Sequence, residues 1–517
     1  MATQKTRTES PDTSGATVLD GDEHEHELKR ELKNRHLQLI AIGGAIGTGL
    51  FLGAGRTIHL AGPSILLVYL VIGFFLYFVM RAMGELLLSN LAYKSFADFA
   101  TDLVGPWAGF YVGWTYWMCW VVIGIADTVA ICGYLAVWFP DLPKWIPALI
   151  VVITLTALNM VAVKLFGELE FWFAMIKIIT IVALVLVGGY LAITHFQPPM
   201  AGTPAASFTH LWDRGGFFPR GLMGFLAGFQ IAIFSFQGIE MAGTAAAETA
   251  DPMHNLPKAI NSIPARILIF YIGALSVIMA VMPWDLIDPD KSPFVEMFGF
   301  IGVGLAFHII NFVVLTSAAS SANSGVFSTS RIMYGLARER NAPGRFAHLN
   351  HRHIPFRALL LTAACISPAI VLVMLSDTVM DAFALVAGVS SVLYISVWGF
   401  ILVCYLAYLK RHPERHAEST YPMPAGRVMC WAGLAFFAAM LVVLALDPGS
   451  RLALAAAPVW IILMAVLYRA MAQARTEVQP MDFDAEREAA MERVRLHVID
   501  HHAEEAALKD AKQARKR

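Results

Sequence analysis

Twelve long apolar stretches occur along the sequence, and they constrain the fold more than any other feature. An apolar run of about 18 or more residues can cross a bilayer as an α-helix. Inside lipid every backbone amide and carbonyl needs a partner within the protein, so runs of this length predict helices. We number the predicted spans 1 to 12 in chain order, and they cover residues 37–58, 64–88, 106–136, 145–163, 170–193, 222–246, 264–284, 300–335, 358–375, 379–407, 428–446 and 452–472.

The composition agrees with a membrane protein. The 517 residues are 57% hydrophobic and 15% charged, whereas a soluble globular chain carries about 25% charged residues. A chain of this length with so little charge cannot cover its surface for water, which makes lipid its solvent. The sequence therefore predicts an all-α polytopic membrane protein with about twelve transmembrane helices.

Several classes of function lack the residues that they require. No basic stretch interleaves with aromatic residues as a nucleic-acid groove would need. The sequence also contains no HExxH, no GxSxG and no cluster of cysteine and histidine. The five cysteines lie in apolar stretches and are predicted to pack as small side chains: Cys119, Cys132, Cys365, Cys404 and Cys430. We predict no enzymatic activity, no metal, no cofactor and no nucleic-acid partner, and make no prediction of oligomeric state.

Both ends of the chain are polar and are predicted to be cytoplasmic. Residues 1–35 lack the short apolar core and cleavage site of a secretory signal. Lys and Arg concentrate in this segment and in the loops near 331–357 and 410–415, and loops rich in these residues face the cytoplasm. A membrane domain is predicted over 36–474, followed by a charged tail over 475–517. We interpret the tail as a solvated helix rather than a regulatory module.

Span 1 contains a cluster of glycines that a simple membrane anchor does not need. Residues 43–49 read Gly-Gly-Ala-Ile-Gly-Thr-Gly, and each glycine destabilises a helix by about 1 kcal/mol relative to alanine. Glycines also allow helices to pack closely, but this mid-span cluster with a threonine inside it favours a broken helix. The backbone groups freed by such a break can point at the charges of a ligand.

Span 6 carries a matching interruption. Residues 234–240 read Phe-Ser-Phe-Gln-Gly-Ile-Glu, which places a glycine, polar side chains and a carboxylate near the bilayer centre. An intramembrane glutamate is costly and marks a functional site by default. Interrupted helices five spans apart predict an inverted repeat of five plus five spans, with a binding site at the midplane between the breaks.

A pair of breaks suits an amino acid, because protein dipoles must replace the water around its ammonium and its carboxylate. The amides of Gly47, Thr48 and Gly49 begin the second half of span 1, and a helix N-terminus favours a carboxylate. The Thr48 hydroxyl can add a further bond. We predict that these three residues bind the carboxylate of the substrate.

The ends of the first half-helices are predicted to bind the ammonium of the substrate. Carbonyls near Ala45 and around Phe234 and Ser235 point from helix C-termini, where the partial charge is negative. Gly238 permits the interruption in span 6. Phe234 and Gln237 are predicted to shape the small side-chain pocket, with Phe234 as a candidate lid.

Three titratable side chains lie deep inside predicted spans and are candidates for proton coupling. Lys177 in span 5 can extend to the interface or act as a desolvated, titrating ammonium. Asp127 lies in the middle of span 3, which favours a proton-linked or pocket role, and Glu240 follows the break in span 6. Tyr116 in span 3 lines the cavity or packs against neighbouring helices.

Two further groups of polar residues have more ordinary interpretations. Arg81 and Glu85 are four residues apart near the predicted cytosolic end of span 2, which predicts an ion pair or a gate. Span 8 is rich in serine between residues 317 and 330. Helix packing through small polar residues explains most of these serines, and some of them can border the pocket.

Five motifs carry a family resemblance. They are NRHLQLIAIGGAIGTGLFLG at 34–53, MRAMGELLLSN at 80–90, GELEFWFAMIK at 167–177, FSFQGIE at 234–240 and SSANSGVFSTSR at 320–331. The sequence from about residue 30 to about residue 470 resembles the amino acid transporter family of the amino acid–polyamine–organocation superfamily. Within it the chain resembles bacterial D-serine/D-alanine/glycine permeases.

This resemblance implies a leucine-transporter-type fold of twelve helices, with broken helices 1 and 6. It also implies proton-coupled symport of D-alanine, D-serine and glycine across the bacterial inner membrane by alternating access. Relatives with a lysine in helix 5 use it where sodium-driven members bind sodium, and Lys177 matches that position. Many relatives have glutamate where this chain has Asp127, and close permeases often have a small apolar residue at the position of Gln237.

Two alternatives stay open at this point. The first keeps the fold and changes the substrate to asparagine, an aromatic amino acid or γ-aminobutyrate. The second is a membrane receptor that does not transport and uses the charged tail as its output. A receptor explains neither the paired helix breaks nor the buried carboxylates.

Overall fold

The computed structural model describes residues 46–93, 95–160, 163–199, 202–241, 251–446, 449–472, 482–489 and 491–492, with the side chains of 163–169 left out. All the regular elements in these residues are helices. Nine stretches are long and apolar enough to cross a membrane, and two shorter apolar helices, Trp145–Asn159 and Gly221–Ala232, accompany them. One of the nine, Gly53–Ser89, turns at Gly62 and Pro63 and contains parts of two spans. The described residues therefore hold parts of all twelve predicted spans.

The helical bounds follow the predicted order. Spans 1 to 6 comprise Thr48–Phe51 with Gly53–Ala61, Ile65–Ser89, Pro106–Ala136, Trp145–Asn159, Val163–Ile193, and Gly221–Ala227 with Phe229–Ala232. Spans 7 to 12 comprise Pro252–Val281, Gly304–Arg338, Phe356–Leu375, Val379–Arg411, Gly426–Leu446 and Arg451–Ala470. Three short helices connect spans: Phe96–Leu103, Pro293–Phe300 and Pro413–Ala417.

Several predicted boundaries differ from the structure, and two of them have a clear local cause. Span 7 begins at Pro252 rather than near residue 264, because the Asp251 side chain caps the helix by accepting a bond from the His254 amide at 3.2 Å. Proline at the first helical position needs no backbone donor. Span 8 begins at Gly304, since Phe300 ends a separate short helix.

Span 3 lies at the centre of the bundle, where it packs against spans 8 and 10. Small residues allow this approach: a Cβ added at Gly113 would lie 2.8 Å from the Leu336 side chain. Peripheral helices instead expose large apolar side chains, including Leu186 at 68% and Val459 at 67% exposure. A soluble protein would not expose large apolar side chains around its whole perimeter, whereas a protein surrounded by lipid does.

Arg81 and Glu85, which the sequence predicted to form an ion pair or a gate, bind separate partners. The buried Glu85 carboxylate accepts hydrogen bonds from Tyr405 Oη at 2.5 Å, His416 Nδ1 at 2.6 Å and the Met423 amide at 2.8 Å. Arg81 donates to a main-chain carbonyl and stacks over the Tyr421 ring at 3.6 Å. Glu85 therefore anchors the connection between spans 10 and 11.

The described part of the C-terminal tail is helical and mostly exposed, as expected for a solvated helix over 482–517, but one of its residues packs on the membrane domain. Phe483 is only 8% exposed, and its ring lies 5.3 Å from the Tyr93 ring. The Asn90 amide donates to the Phe483 carbonyl at 2.8 Å, and Arg415 pairs with Asp484 at 2.6 Å. The charge of this segment predicted its exposure, and the contact made by its one phenylalanine was not predicted.

We expect Phe483→Ala to release this segment. Truncating a buried phenylalanine removes about 3 kcal/mol, which is enough to shift a locally docked element towards its open form. Limited trypsin digestion of the purified protein should then cleave at Arg487 faster than in the unsubstituted protein. Met491→Ala, at a residue 47% exposed, is the matched control, and equal cleavage rates for both variants would contradict the anchor.

Candidate substrate and coupling site

The helix of span 6 is interrupted where the sequence predicted. A 3₁₀ turn covers Phe234–Phe236, and the backbone then becomes extended at Gln237. Gly238 follows with φ +88°, a conformation that costs a residue with a Cβ about 1–2 kcal/mol. The break therefore depends on a glycine at this position.

Span 1 is described from Ile46 onwards, on the C-terminal side of the predicted break. Gly47 is extended, with φ −129° and ψ −166°, and the helix begins at Thr48. The amides of Leu50 and Phe51 donate to the Gly47 carbonyl at 3.2 and 3.3 Å. The amides of Gly47, Thr48 and Gly49 precede these bonds, as expected for the first residues of a helix. Ala45 lies outside the described residues.

The two breaks meet at Gly49. A Cβ added there would lie 2.6 Å from Ser235 Cα and 2.8 Å from the Phe234 ring. Main chain thus packs against main chain where the helix of span 1 begins and the helix of span 6 is interrupted. Among the described residues, a Cβ added at Gly47 would meet only Ser321 Oγ of span 8, at 3.8 Å, so the described part of the chain leaves room beside this glycine.

Asp127 and Lys177 both reach the break in span 1. Thr48 Oγ1 donates to Asp127 Oδ1 at 2.6 Å, and both residues are at most 2% exposed. Lys177 Nζ donates to the Ile46 carbonyl at 3.5 Å and is 1% exposed. Lys177 therefore does not extend to the membrane interface.

Glu240 lies beside the break in span 6 and is held by two tyrosines. Tyr116 of span 3 and Tyr394 of span 10 donate to Glu240 Oε1 at 3.3 and 3.2 Å. Glu240 is completely buried. The hydroxyl of Tyr116, predicted to line the cavity or to pack, is therefore directed at this carboxylate.

Gln237 faces span 10. Ser390 Oγ donates to Gln237 Oε1 at 2.6 Å, and the Gln237 side chain is 7% exposed. Among the described residues, Gln237 Nε2 has no hydrogen-bond partner. A buried amide donor without a protein partner normally binds water or a ligand.

Sequence reasoning missed the residues that support Ser235 and Phe234. Tyr69 of span 2 hydrogen-bonds the Ser235 hydroxyl at 3.0 Å, and Tyr271 of span 7 donates to the Ser235 carbonyl at 2.8 Å. The Phe234 ring packs edge-on against Phe383 of span 10 at 5.4 Å. Aromatic residues are frequent throughout these spans, so the sequence held no signal that singled these three out.

The predicted residues thus form two groups around the meeting point of the breaks. Thr48, Asp127 and Lys177 surround the break in span 1, and Gln237 and Glu240 lie at the break in span 6. Over the described part of the chain, no group of three or more His, Cys, Asp or Glu side chains is arranged to hold a metal ion.

Gly49→Ala should destabilise the protein, because the new methyl group would overlap the main chain of Ser235. Overpacking of this kind costs about 1–3 kcal/mol, and the apparent melting temperature in detergent should fall. Gly47→Ala is the matched control, since its Cβ has space and its φ suits alanine. Equal melting temperatures for the two variants would show that the breaks do not pack as described.

Comparison with known proteins places the chain in one family. Residues 36–478 match the amino acid permease family. The chain is 57% identical over 438 residues to the D-serine/D-alanine/glycine transporter of Escherichia coli (strain K12), which covers 85% of this chain and 93% of that protein. It is 47% identical over 455 residues to the amino-acid permease AapA of Bacillus subtilis (strain 168), with 88% and 97% covered.

A relative with a different substrate class is also similar. The aromatic amino acid transport protein AroP of Escherichia coli (strain K12) is 39% identical over 452 residues, 87% of this chain and 97% of that protein. The all-helical architecture of the described residues agrees with the predicted fold class. The chain belongs to the amino acid permease family: it is a multi-pass inner-membrane transporter of amino acids and not an enzyme.

Proposed function

We propose that the protein imports small neutral amino acids, namely D-alanine, D-serine and glycine, together with a proton by alternating access. The observation that carries this proposal is the contact between the two helix breaks at Gly49 and Ser235. The likeness to a D-serine/D-alanine/glycine transporter supports the substrate class. Lys and Arg in the predicted inside loops support an orientation with both termini in the cytoplasm.

The substrate carboxylate binds the start of the helix in span 1. The amides of Gly47, Thr48 and Gly49 precede the first helical hydrogen bonds, and such donors favour an anion. The room that the described residues leave beside Gly47 supports a direct approach of the ligand to the backbone. This assignment places the α-carboxylate within reach of Thr48 and leaves the side chain of the substrate to the pocket walls.

The ammonium binds carbonyls at the end of the first half of span 6, around Phe234 and Ser235, together with that of Ala45. Because these groups belong to the main chain, they read the α-amino group and not the side chain. The Ser235 carbonyl already accepts a bond from Tyr271, which fixes its direction. A carbonyl oxygen has a second lone pair for the substrate.

The pocket for the side chain lies against Phe234 and Gln237, with Gly238 permitting the break. Phe234 is 4% exposed and packs on Phe383, which limits the space beside it and favours a small substrate. Movement of Phe234 would open or close the pocket. The unpartnered Nε2 of Gln237 supplies a donor for the hydroxyl of D-serine.

Coupling to the proton rests on the three buried titratable side chains, Lys177, Asp127 and Glu240, of which Lys177 is the leading candidate. The Lys177 ammonium contacts the Ile46 carbonyl immediately before the break. Loss of its proton removes the attraction between a cation and a carbonyl dipole. The start of span 1 is then free to rearrange, which links proton release to opening of the site.

Labelled D-alanine uptake into proteoliposomes tests the proposal. An inward pH gradient should drive accumulation, a sodium gradient should not, and unlabelled glycine and D-serine should compete. Lys177→Ala should abolish accumulation driven by the gradient and retain exchange of internal for external substrate. Exchange needs no net proton release, so its survival separates coupling from binding.

Two results would count against this proposal in different ways. Uptake driven by sodium alone would overturn proton coupling. Uptake that is absent for D-alanine and present for an aromatic amino acid would keep the family and overturn the substrate class.

Gln237→Val should change selectivity. A valine side chain removes the buried donor, so uptake of D-serine should fall relative to D-alanine by about fivefold, the worth of one net hydrogen bond of roughly 1 kcal/mol. The ratio of kcat/KM for the two substrates measures this. Ser390→Ala removes the partner of Gln237 Oε1 and leaves Nε2 in place, so it should change the ratio less. An unchanged ratio in Gln237→Val would place Gln237 outside the pocket.

A further inference from the structure

The hydrogen bond between Thr48 and Asp127 joins a buried acid directly to the substrate site. Its length is 2.6 Å, and Asp127 is completely buried. Thr48 also provides one of the backbone amides assigned to the substrate carboxylate. A change in the protonation of Asp127 therefore changes the hydrogen bonding of Thr48 Oγ1, an atom next to the ligand.

The Thr48 hydroxyl has a single proton to donate. An ionised carboxylate can only accept hydrogen bonds, so the Thr48 proton must point at Asp127 while that acid is charged. The hydroxyl then presents only lone pairs to the site, and these repel a substrate carboxylate. A protonated Asp127 can donate to Thr48 Oγ1 instead, which frees the Thr48 proton for the substrate.

Asp127 is poorly supplied with donors for a permanent charge. Thr48 is the hydrogen-bond donor at Oδ1, and Oδ2 has no hydrogen-bond partner among the described residues. Glu85, a buried carboxylate with a structural position, receives three donors. An under-bonded buried carboxylate is costly, so Asp127 is the acid of the two that suits a changing protonation state.

The groups that face Asp127 come from four spans. Lys177 of span 5 interacts with it electrostatically, and Tyr134 of span 3 is the other titratable neighbour. Ser321 of span 8 and Thr48 of span 1 contribute hydroxyls. Lys177 stabilises the charged acid, so the switch requires the proton to bind Asp127 in competition with this attraction.

We propose that the Thr48–Asp127 hydrogen bond reverses direction when Asp127 gains a proton, and that this reversal makes proton binding and amino acid binding favour each other. The proton comes from water on the side from which the substrate enters, binds Oδ1 and returns to water after the substrate leaves. No covalent bond other than that O–H forms or breaks. This inference rests on the proposed function, since it assumes coupled binding of substrate and proton.

Substrate affinity as a function of pH tests the switch. Binding of labelled glycine to the purified protein is measured at acidic, neutral and alkaline pH. The unsubstituted protein should bind more tightly at acidic pH, because protonated Asp127 frees the Thr48 donor. Thr48→Val should lose about tenfold in affinity at acidic pH, the worth of one hydrogen bond to a charged group, and should show no pH dependence.

Two further variants complete the design. Thr48→Ser keeps the hydroxyl and should keep the pH dependence, which guards against a misfolded valine variant. Asp127→Asn cannot ionise and should bind glycine with an affinity that does not change with pH. Size-exclusion profiles in detergent check that each variant is folded.

The outcomes separate this inference from the proposed function. If Thr48→Val remains pH-dependent to the same degree as the unsubstituted protein, Asp127 acts through its charge alone and the hydroxyl switch is wrong. If the unsubstituted protein binds glycine equally at every pH and glycine moves no protons, the proposed proton coupling is wrong. Loss of pH dependence in Thr48→Val and Asp127→Asn, with retention in Thr48→Ser, supports the switch.

Discussion

A peptide group inside a membrane needs a hydrogen-bond partner within the protein. The backbone at the breaks in spans 1 and 6 leaves the regular helical pattern of hydrogen bonds and therefore needs other partners. The structure tolerates them because the breaks contact each other. Gly49 packs on the main chain of Ser235, and the tyrosines at positions 69 and 271 bind the hydroxyl and the carbonyl of the same serine. The neighbouring spans thus hold the exposed backbone in place, and a zwitterion can supply the remaining partners.

The scaffold around the breaks explains why the central spans carry polar side chains at all. Span 3 supplies Asp127 to one break and Tyr116 to the other, and span 10 supplies Ser390 and Tyr394. Each of these side chains bonds a group at a break rather than another scaffold helix. The central helix therefore contacts both halves of the site, and a shift of span 3 relative to either break changes both groups together.

The sequence alone predicted the fold and, for each contact at the site, one of the two residues that make it. Length and hydropathy predicted the spans, because lipid leaves a long apolar run few alternatives to a helix. Glycine clusters predicted the breaks, since local backbone cost is a property of the residues themselves. The depth of Asp127, Lys177 and Glu240 in their spans pointed to the titratable groups.

The partners of those residues could not be predicted, because they depend on helix rotation and packing. Ser390 and Tyr394 are ordinary residues of an apolar helix until span 10 turns them towards Gln237 and Glu240. The predicted Arg81–Glu85 ion pair was wrong for the same reason, and the alternative of a gate stays a prediction. Spacing on one helix suggested a pair, and the connection between spans 10 and 11 provided better partners for both residues.

The number of hydrogen-bond donors around a buried carboxylate distinguishes a structural carboxylate from a functional one more clearly than its burial does. Glu85, Asp127 and Glu240 are all at most 1% exposed, so burial alone ranks them as equals. Glu85 receives two side-chain donors and a main-chain amide, which can hold a fixed charge without help from water. Asp127 receives a bond from the Thr48 hydroxyl, which Thr48 can turn elsewhere, and has the Ser321 hydroxyl as a second neighbour.

Glu240 lies between these two cases, with two phenols at 3.2 and 3.3 Å that belong to different spans. The bonds from spans 3 and 10 add to main-chain hydrogen bonds from Glu240 and Gly238, and they weaken when either span moves away from the break. A carboxylate whose side-chain donors belong to different helices responds to relative helix movement, whereas Asp127, bound by the Thr48 hydroxyl, responds to the state of that hydroxyl. Asp127 is therefore suited to report occupancy of the site, and Glu240 to report the conformation around it.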